Sequence, residues 1–236
     1  MSDSLIAIVP AAGVGARAGR PGDAAVPKQY RSLAGQPMLR RAVQSLLADA
    51  RIAQVRVAVT PGDQWVDEAL RGLPRTVWRP CGGPTRADTV AAALADANLD
   101  DAAWVLVHDA ARPGLPAASL ARLIDACLAH PVGGLLALPV ADTVKAAAYG
   151  QQADADTAHV ARTVDRQGLW LAQTPQMFRA GALIAALGTA AAARLAVTDE
   201  ASAMEAAGHA PLLVPGDARN FKVTWPGDFE LMEKWL

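Results

Sequence analysis

The sequence predicts an α/β protein with a mostly parallel, twisted sheet covered by helices on both faces. Short apolar runs such as Leu5-Ile6-Ala7-Ile8-Val9 and Trp104-Val105-Leu106-Val107 read as buried strands. They alternate with stretches whose apolar residues recur at helical spacing, as parallel strands joined by helical crossovers require. Segments rich in glycine, proline and charge (10–30, 82–89 and 108–113) each follow a strand, so they gather at the carboxyl edge of the sheet. Ligands of such sheets sit at that edge.

The first strand opens into Pro10-Ala11-Ala12-Gly13-Val14-Gly15-Ala16-Arg17-Ala18-Gly19, a loop that closes at Pro27-Lys28-Gln29-Tyr30. Small residues let the backbone approach a ligand, and their N–H groups can cradle phosphate oxygens. Arg17 and Lys28 add two positive charges, so the loop reads as a nucleoside triphosphate site; a tight strand-to-helix turn is the plainer alternative. The Walker A pattern is excluded, because no Gly-Lys-Ser/Thr occurs. The dinucleotide fingerprint fails as well: Gly13, Gly15 and Gly19 are spaced one residue too wide, and Arg20-Pro21-Gly22-Asp23 continues as loop where a helix should begin.

Further along, Leu33 to Ala50 carries Leu39, Val43, Leu46 and Leu47 at helical spacing. Val55–Val59 is a second strand, Val66–Leu70 a short helix, and Thr76–Trp78 a third strand. Gly82-Gly83-Pro84-Thr85-Arg86-Ala87-Asp88-Thr89 opens a helix through Leu94. A fourth strand, Ala103–Val107, delivers His108-Asp109-Ala110-Ala111-Arg112-Pro113. Asp109, an acid at a strand end, suits a magnesium ligand; a helix cap or a partner for Arg112 is the plainer reading. Leu135–Val140 is another strand.

Residues 141 to 162 are mostly small and polar around a turn at Gly150, which reads as a surface loop or a hairpin arm that holds a partner subunit. Polar motifs resume at Thr163-Val164-Asp165-Arg166 and Gln173-Thr174-Pro175-Gln176. Arg179 to Ala193 reads as helix, and Thr198-Asp199-Glu200 caps a helix to about Ala207. Leu212–Val214 is a late strand, and Thr224-Trp225-Pro226 starts a terminal helix with proline near its first position.

The 236 residues suit one domain with a full core, here 1–236 with an arm at about 140–162. A net charge of −1 leaves no electrostatic footprint for nucleic acid, so any basic site is local. Cys81 and Cys127, without CxxC or His/Cys spacing, read as small semi-buried residues. Neither a signal peptide nor an apolar run of the ~20 residues a membrane helix needs is visible, so the expected location is cytoplasmic.

Seven motifs in order carry a specific resemblance. They are Ala11-Ala12-Gly13-x-Gly15-x-Arg17, Pro27–Tyr30, Val107–Pro113, Thr163–Arg166, Thr174-Pro175-Gln176, Thr198-Asp199-Glu200-Ala201-Ser202 and Asn220-Phe221-Lys222-Val223-Thr224. Together they resemble the 2-C-methyl-D-erythritol 4-phosphate cytidylyltransferases of the non-mevalonate isoprenoid pathway, over nearly the whole chain. The resemblance implies a Rossmann-like nucleotidyltransferase fold with a protruding β-arm. It also implies a reaction in which the sugar-alcohol phosphate attacks the α-phosphorus of CTP and releases pyrophosphate. Arg17 and Lys28 would then stabilise the transition state, and Arg166 and Lys222 would grip and orient the acceptor. CTP contacts fall to Ala11, Ala12, Gly13, Gly15, Gly83, Thr89, Asp109 and Ala110, and the Mg²⁺ site to Asp109. Acceptor contacts fall to Thr143, Arg166, Thr174 and Lys222, with Thr143 and Arg166 supplied by the neighbouring subunit of a homodimer.

By the same resemblance His108 is a strand-end scaffold, since an anionic phosphate needs no general base. Arg112 is taken as structural, and helix capping accounts for Asp199-Glu200. Departures from the family pattern are an inserted 20–25 segment, Ala18 for methionine, Thr89 for serine, Arg219 for an acid, and Pro84, which lacks an N–H at a base-edge position. Ribitol 5-phosphate is the alternative acceptor. Hexose-1-phosphate or molybdopterin transfer fits the 27–30 and 220–224 motifs less well, and an inactive nucleotide sensor would be expected to lose Lys28 or Asp109.

Overall fold

Alternation along the strands decides how the layers assemble. In β1 (Leu5–Pro10), Leu5, Ala7 and Val9 join one buried cluster while Ile8 joins another on the opposite face. The same division recurs in β6 (Trp104–Val107), where Trp104 and Leu106 face one cluster and Val105 and Val107 the other. Strands buried on both faces need helices on both faces. The computed structural model describes residues 5–13, 26–148 and 158–236, and Gly15, Arg17, Ala18 and the inserted 20–25 segment lie outside them.

A seven-stranded sheet forms the centre. With β4 (Ile52–Ala58), β5 (Thr76–Arg79), β7 (Gly133–Pro139), β10 (Trp170–Arg179) and β11 (Leu212–Pro215), its order is β11-β7-β10-β6-β1-β4-β5. β1 pairs parallel with β4 and β6, and β10 runs antiparallel between β6 and β7. The helices α1 (Met38–Leu47), α2 (Val66–Leu70) and α4 (Ala117–Leu128) cover one face through Leu39, Val43, Leu70, Leu120 and Ile124. The other face takes α3 (Arg86–Ala97), α5 (Ala180–Ala192) and α6 (Glu200–Ala206) through Val90, Leu94, Leu183 and Met204. A terminal helix, α7 (Pro226–Glu233), starts at a proline, and Asp228 Oδ2 accepts from the backbone N–H groups of Thr224 and Trp225 at 2.7 and 2.8 Å. Among the described residues no helix is long and apolar enough to cross a membrane.

Three expectations change. The helix predicted from Leu33 begins only at Met38, because Ser32–Leu33 (β2) and Gln36–Pro37 (β3) pair antiparallel first. Ala34 and Gly35 both take positive φ, 47° and 78°, as a two-residue hairpin loop requires, and Pro37 holds its predecessor out of helix. α4, with Leu120, Leu123, Ile124 and Cys127 buried at helical spacing, had no counterpart in the sequence reading. Nor did β10, since Pro175 argues against a central strand. The sheet accommodates that proline where the β10–β7 register breaks between Ala172 and Gln176, with a cis Thr174–Pro175 bond. The 141–162 region forms the hairpin arm: β8 (Val144–Ala147) pairs antiparallel with β9 (Val160–Val164) outside the main sheet. Residues 149–157, with the expected Gly150 turn, lie outside the described residues.

β7 leaves no room at its start. Gly133 has φ +103°, and a Cβ there would lie 2.1 Å from the Met177 carbonyl oxygen of β10. Gly133→Ala should therefore lower unfolding free energy by about 2–4 kcal/mol through strain and displaced pairing. An unchanged denaturant midpoint would show that β7 and β10 can separate without cost.

Candidate active site

The carboxyl ends of β1 and β6 open on a cleft of about 300 Å³ lined by Ala11, Ala12, Gly13, Lys28, Gly83, Thr89, Asp109, Ala110 and Lys222, with Pro84, Thr85 and Arg86 on the α3 side. Nine sequence-selected residues thus converge on one surface. Small side chains form the floor because the backbone is crowded there. A Cβ on Gly82 would meet Ala12 Cβ at 2.3 Å and the Val59 oxygen at 2.8 Å. Gly83 is closed in likewise by Asp88, and its N–H donates to Thr89 Oγ1 at 3.0 Å. Thr85 caps α3 with Asp88 in a capping box, which fixes the loop that delivers Arg86.

Lys28 sits on a 3-10 turn, 28–30, pinned from both sides. Gln29 Nε2 donates to the Ala11 oxygen at 2.8 Å, and the Tyr30 hydroxyl donates to Asp63 Oδ2 at 2.7 Å. The Tyr30 ring stacks on Trp65, centroids 5.8 Å apart. Lys28 Nζ donates to the Val223 oxygen at 2.6 Å, which ties the first loop to the last motif.

Asp109 is the centre of charge. Arg86 Nε donates to its Oδ1 at 2.9 Å, Lys222 Nζ lies 2.8 Å from its Oδ2, and Arg112 Nε lies 3.7 Å from it. Burial acts to raise the Asp109 pKa, but Arg86, Lys222 and Arg112 outweigh it and hold the carboxyl well below the usual range. Asp109 is therefore a fixed anion. Arg112 is structural as read from sequence: its Nη1 donates to the Asn220 oxygen at 2.7 Å and its Nη2 to the Ala172 oxygen at 3.3 Å.

Thr174 lies behind the cleft rather than on it. Its Oγ1 accepts from the Asp109 backbone N–H at 2.9 Å and lies 3.0 Å from His108 Nδ1. His108 Nε2 lies 3.0 Å from the Arg112 carbonyl oxygen, which can only accept, so Nε2 carries the proton and Thr174 donates to Nδ1. Burial lowers the His108 pKa to about 4 and keeps the ring neutral. His108 is the scaffold the sequence suggested.

Thr143 and Arg166 do not join the cleft. Both are exposed beside the arm, where Arg166 Nη1 donates to the Ala141 oxygen. Conversely, the sequence reading missed Arg86 and Glu200. Arg86 grips Glu200 with both terminal nitrogens, at 2.7 and 3.0 Å, while Asp199 is the actual cap of α6. An acid in a first helical turn is ordinary, so helix capping accounted for Glu200 in the sequence and its pairing with Arg86 stayed hidden.

A cation-rich cleft with a small-residue floor at the carboxyl edge of a mostly parallel sheet suits a phosphate-bearing ligand, and the chain's relatives place it among the nucleotidyltransferases. The family model of 2-C-methyl-D-erythritol 4-phosphate cytidylyltransferase matches residues 5–236. Relatives of that name include those of Bordetella parapertussis, 76% identical with both chains covered completely, and Chromobacterium violaceum, 51% identical over 96% of this chain and 95% of that one. A solved 4-diphosphocytidyl-2C-methyl-D-erythritol synthase superposes with a TM-score of 0.82 at 38% identity, covering 98% of each chain. The Francisella tularensis cytidylyltransferase gives 0.80 at 31% identity, with 98% and 99% covered. The chain belongs to the 2-C-methyl-D-erythritol 4-phosphate cytidylyltransferase family, and its reaction is CTP-dependent cytidylyl transfer to that phosphate.

The neutral, buried His108 has a measurable consequence. Its folded pKa, about 4, lies below the ordinary 6.5, so the unfolded chain takes up a proton first as pH falls. Unfolding free energy should drop by on the order of 3 kcal/mol between pH 6.5 and 4. The depressed Asp109 carboxyl costs stability only below its ordinary value of 3.8, while the Glu200 carboxyl, pushed up by burial, works in the opposite sense as pH falls. Denaturant titrations over pH should show this slope, and it should be shallower in His108→Gln; equal slopes would refute the assignment.

Proposed function

We propose that the cleft holds CTP with its base end against Gly83 and Thr89 and its triphosphate over Ala11, Ala12, Gly13 and Gly15, beside Asp109 and Ala110. The acceptor phosphate is gripped by Lys222 and by Arg166 and Thr143 of a partner copy. The observation that carries this reading is the convergence of Lys28, Arg86, Lys222 and Asp109 on one cleft, with Arg86 and Lys222 paired to Asp109. A phosphate oxygen of the acceptor forms a bond to the α-phosphorus while the bond to the bridging oxygen of pyrophosphate breaks. The attacking oxygen is already anionic, so no side chain has to remove a proton. The residues position two anions and neutralise the charge that builds on the leaving group. Lys28 and Arg17 serve that charge, and Thr174 acts on the acceptor side by holding the Asp109 backbone.

The donor set also fits Mg²⁺. Among the described residues no three metal-type side chains cluster, so Asp109 would hold the ion together with phosphate oxygens and water, which is its usual mode. When bound, the ion adds positive charge at the transferring phosphate and the pyrophosphate. Asp109, kept ionised by its cations, is suited to that task.

The exposed arm is what supports a homodimer. Thr143 and Arg166 are exposed and outside the cleft of their own chain, and Val160 and Leu171 beside them are 63% and 58% exposed.

Pyrophosphate release from CTP and Mg²⁺ should occur with methylerythritol phosphate and not with ribitol 5-phosphate; the reverse would keep the nucleotide half and overturn the acceptor half. Lys28→Ala should cost about 10²–10³-fold in kcat, as loss of one charge-stabilising donor does. Co-expressed Lys28→Ala and Arg166→Ala chains should regain about a quarter of wild-type activity, since half the dimers carry one intact shared site. No recovery would place Arg166 in its own subunit's site, and a monomeric mass in light scattering would remove the dimer.

A further inference from the structure

Glu200 is 1% exposed and lies on the side of Arg86 away from the cleft, a buried charge that the transfer reaction itself does not call upon. Its two oxygens seat both Nη atoms of Arg86, at 2.7 and 3.0 Å, which leaves the Nε edge of the guanidinium facing Asp109 Oδ1 at 2.9 Å. A planar fork seated on a fixed carboxylate cannot rotate, so its Nε–H points in one direction.

The seat itself is rigid. Asp199 accepts from Ser202 N at 2.9 Å, and Ala201 N donates to Gln176 Oε1 at 2.7 Å. Gln176 Nε2 donates back to Asp199 at 2.9 Å, from β10, the strand beside the one that carries Asp109. As a stabilising device the pair is poor, because desolvating two charges offsets most of their attraction, and an apolar residue fills such space at less cost. Its effect lies in position. Without Glu200, Asp109 would be the ion-pair partner left to Arg86, and the two Nη atoms would lose their seat.

We propose, on the reading of Asp109 as the cleft's functional carboxylate, that Glu200 is a positioning residue: it holds Arg86 in a one-contact geometry that keeps Asp109 in its working rotamer. Glu200 touches neither substrate. It acts through Arg86 on Asp109.

The test is a cycle of Glu200→Gln and Asp109→Asn, with kcat and KM read by pyrophosphate release and folding by thermal melting. Glu200→Gln should lower kcat by about 10–100-fold, the usual effect of removing a group that orients a site residue, with little change in acceptor KM. On the Asp109→Asn background the same change should alter the residual kcat by less than about threefold, because its target is already gone. A full penalty on that background, or wild-type kcat in Glu200→Gln, would overturn the proposal while leaving Asp109 in place. Wild-type kcat in Asp109→Asn alone would instead remove the reading of Asp109, and the proposal with it. Glu200→Asp, which keeps the charge on a shorter stem, should give an intermediate kcat, and it carries the same cycle if Glu200→Gln does not melt cooperatively.

Discussion

Burial of the Asp109 carboxylate is the constraint on which the site depends. An ion removed from water must be paired, and its partners come from parts of the chain distant in sequence. Arg86 arrives from the start of α3, Lys222 from the last motif before α7, and Arg112 from the same loop as Asp109. The surplus of positive charge that keeps Asp109 ionised also faces the cleft. A cleft of this charge is biased to receive anionic ligands, the class to which both substrates of the family belong. One electrostatic requirement thus serves folding of the site and recognition by it.

Behind the charges lies a neutral scaffold. The Asp109 backbone N–H, Thr174, His108 and the Arg112 carbonyl form a chain of hydrogen bonds with one self-consistent direction. Asn220 closes the far side: its Nδ2 donates to the Thr174 oxygen at 2.7 Å, and Val223 N donates to the Ala111 oxygen at 2.9 Å. A charged imidazole in this chain would lose an acceptor and sit beside Arg112, so neutrality of His108 is a condition of the geometry. This is why a histidine next to the key acid acts as frame and leaves the acid–base chemistry alone.

Much of this was legible in the sequence, for a physical reason. Strands such as Leu5–Val9 and Trp104–Val107 are apolar throughout because both faces are covered, and small residues mark where backbone must approach a ligand. What the sequence hid was tertiary. Pro175 disguised β10, because only the register break against β7 makes room for it. Ala34-Gly35 disguised the start of α1, since the apolar spacing continues through a hairpin that depends on two positive φ values. Arg86 and Glu200 were invisible as a pair because 114 positions separate them, and a helix-start acid has an adequate local explanation.

The reversed strand also explains where the arm emerges. Because β10 runs against its neighbours, it begins at the edge where β6 and β7 end, and Trp170 pairs with Pro139 at the last position of β7. The β8–β9 hairpin that joins β7 to β10 must therefore leave the sheet on the side of the cleft. Had β10 been parallel, the connection would have crossed to the opposite edge of the sheet, and Thr143 and Arg166 would be carried away from the edge that bears the cleft. With β10 reversed, the arm, whose Thr143 and Arg166 do not line the cleft of their own chain, still projects from the edge that bears it. A single strand direction thus connects the buried frame, through Thr174 and Gln176, to the surface that carries the arm.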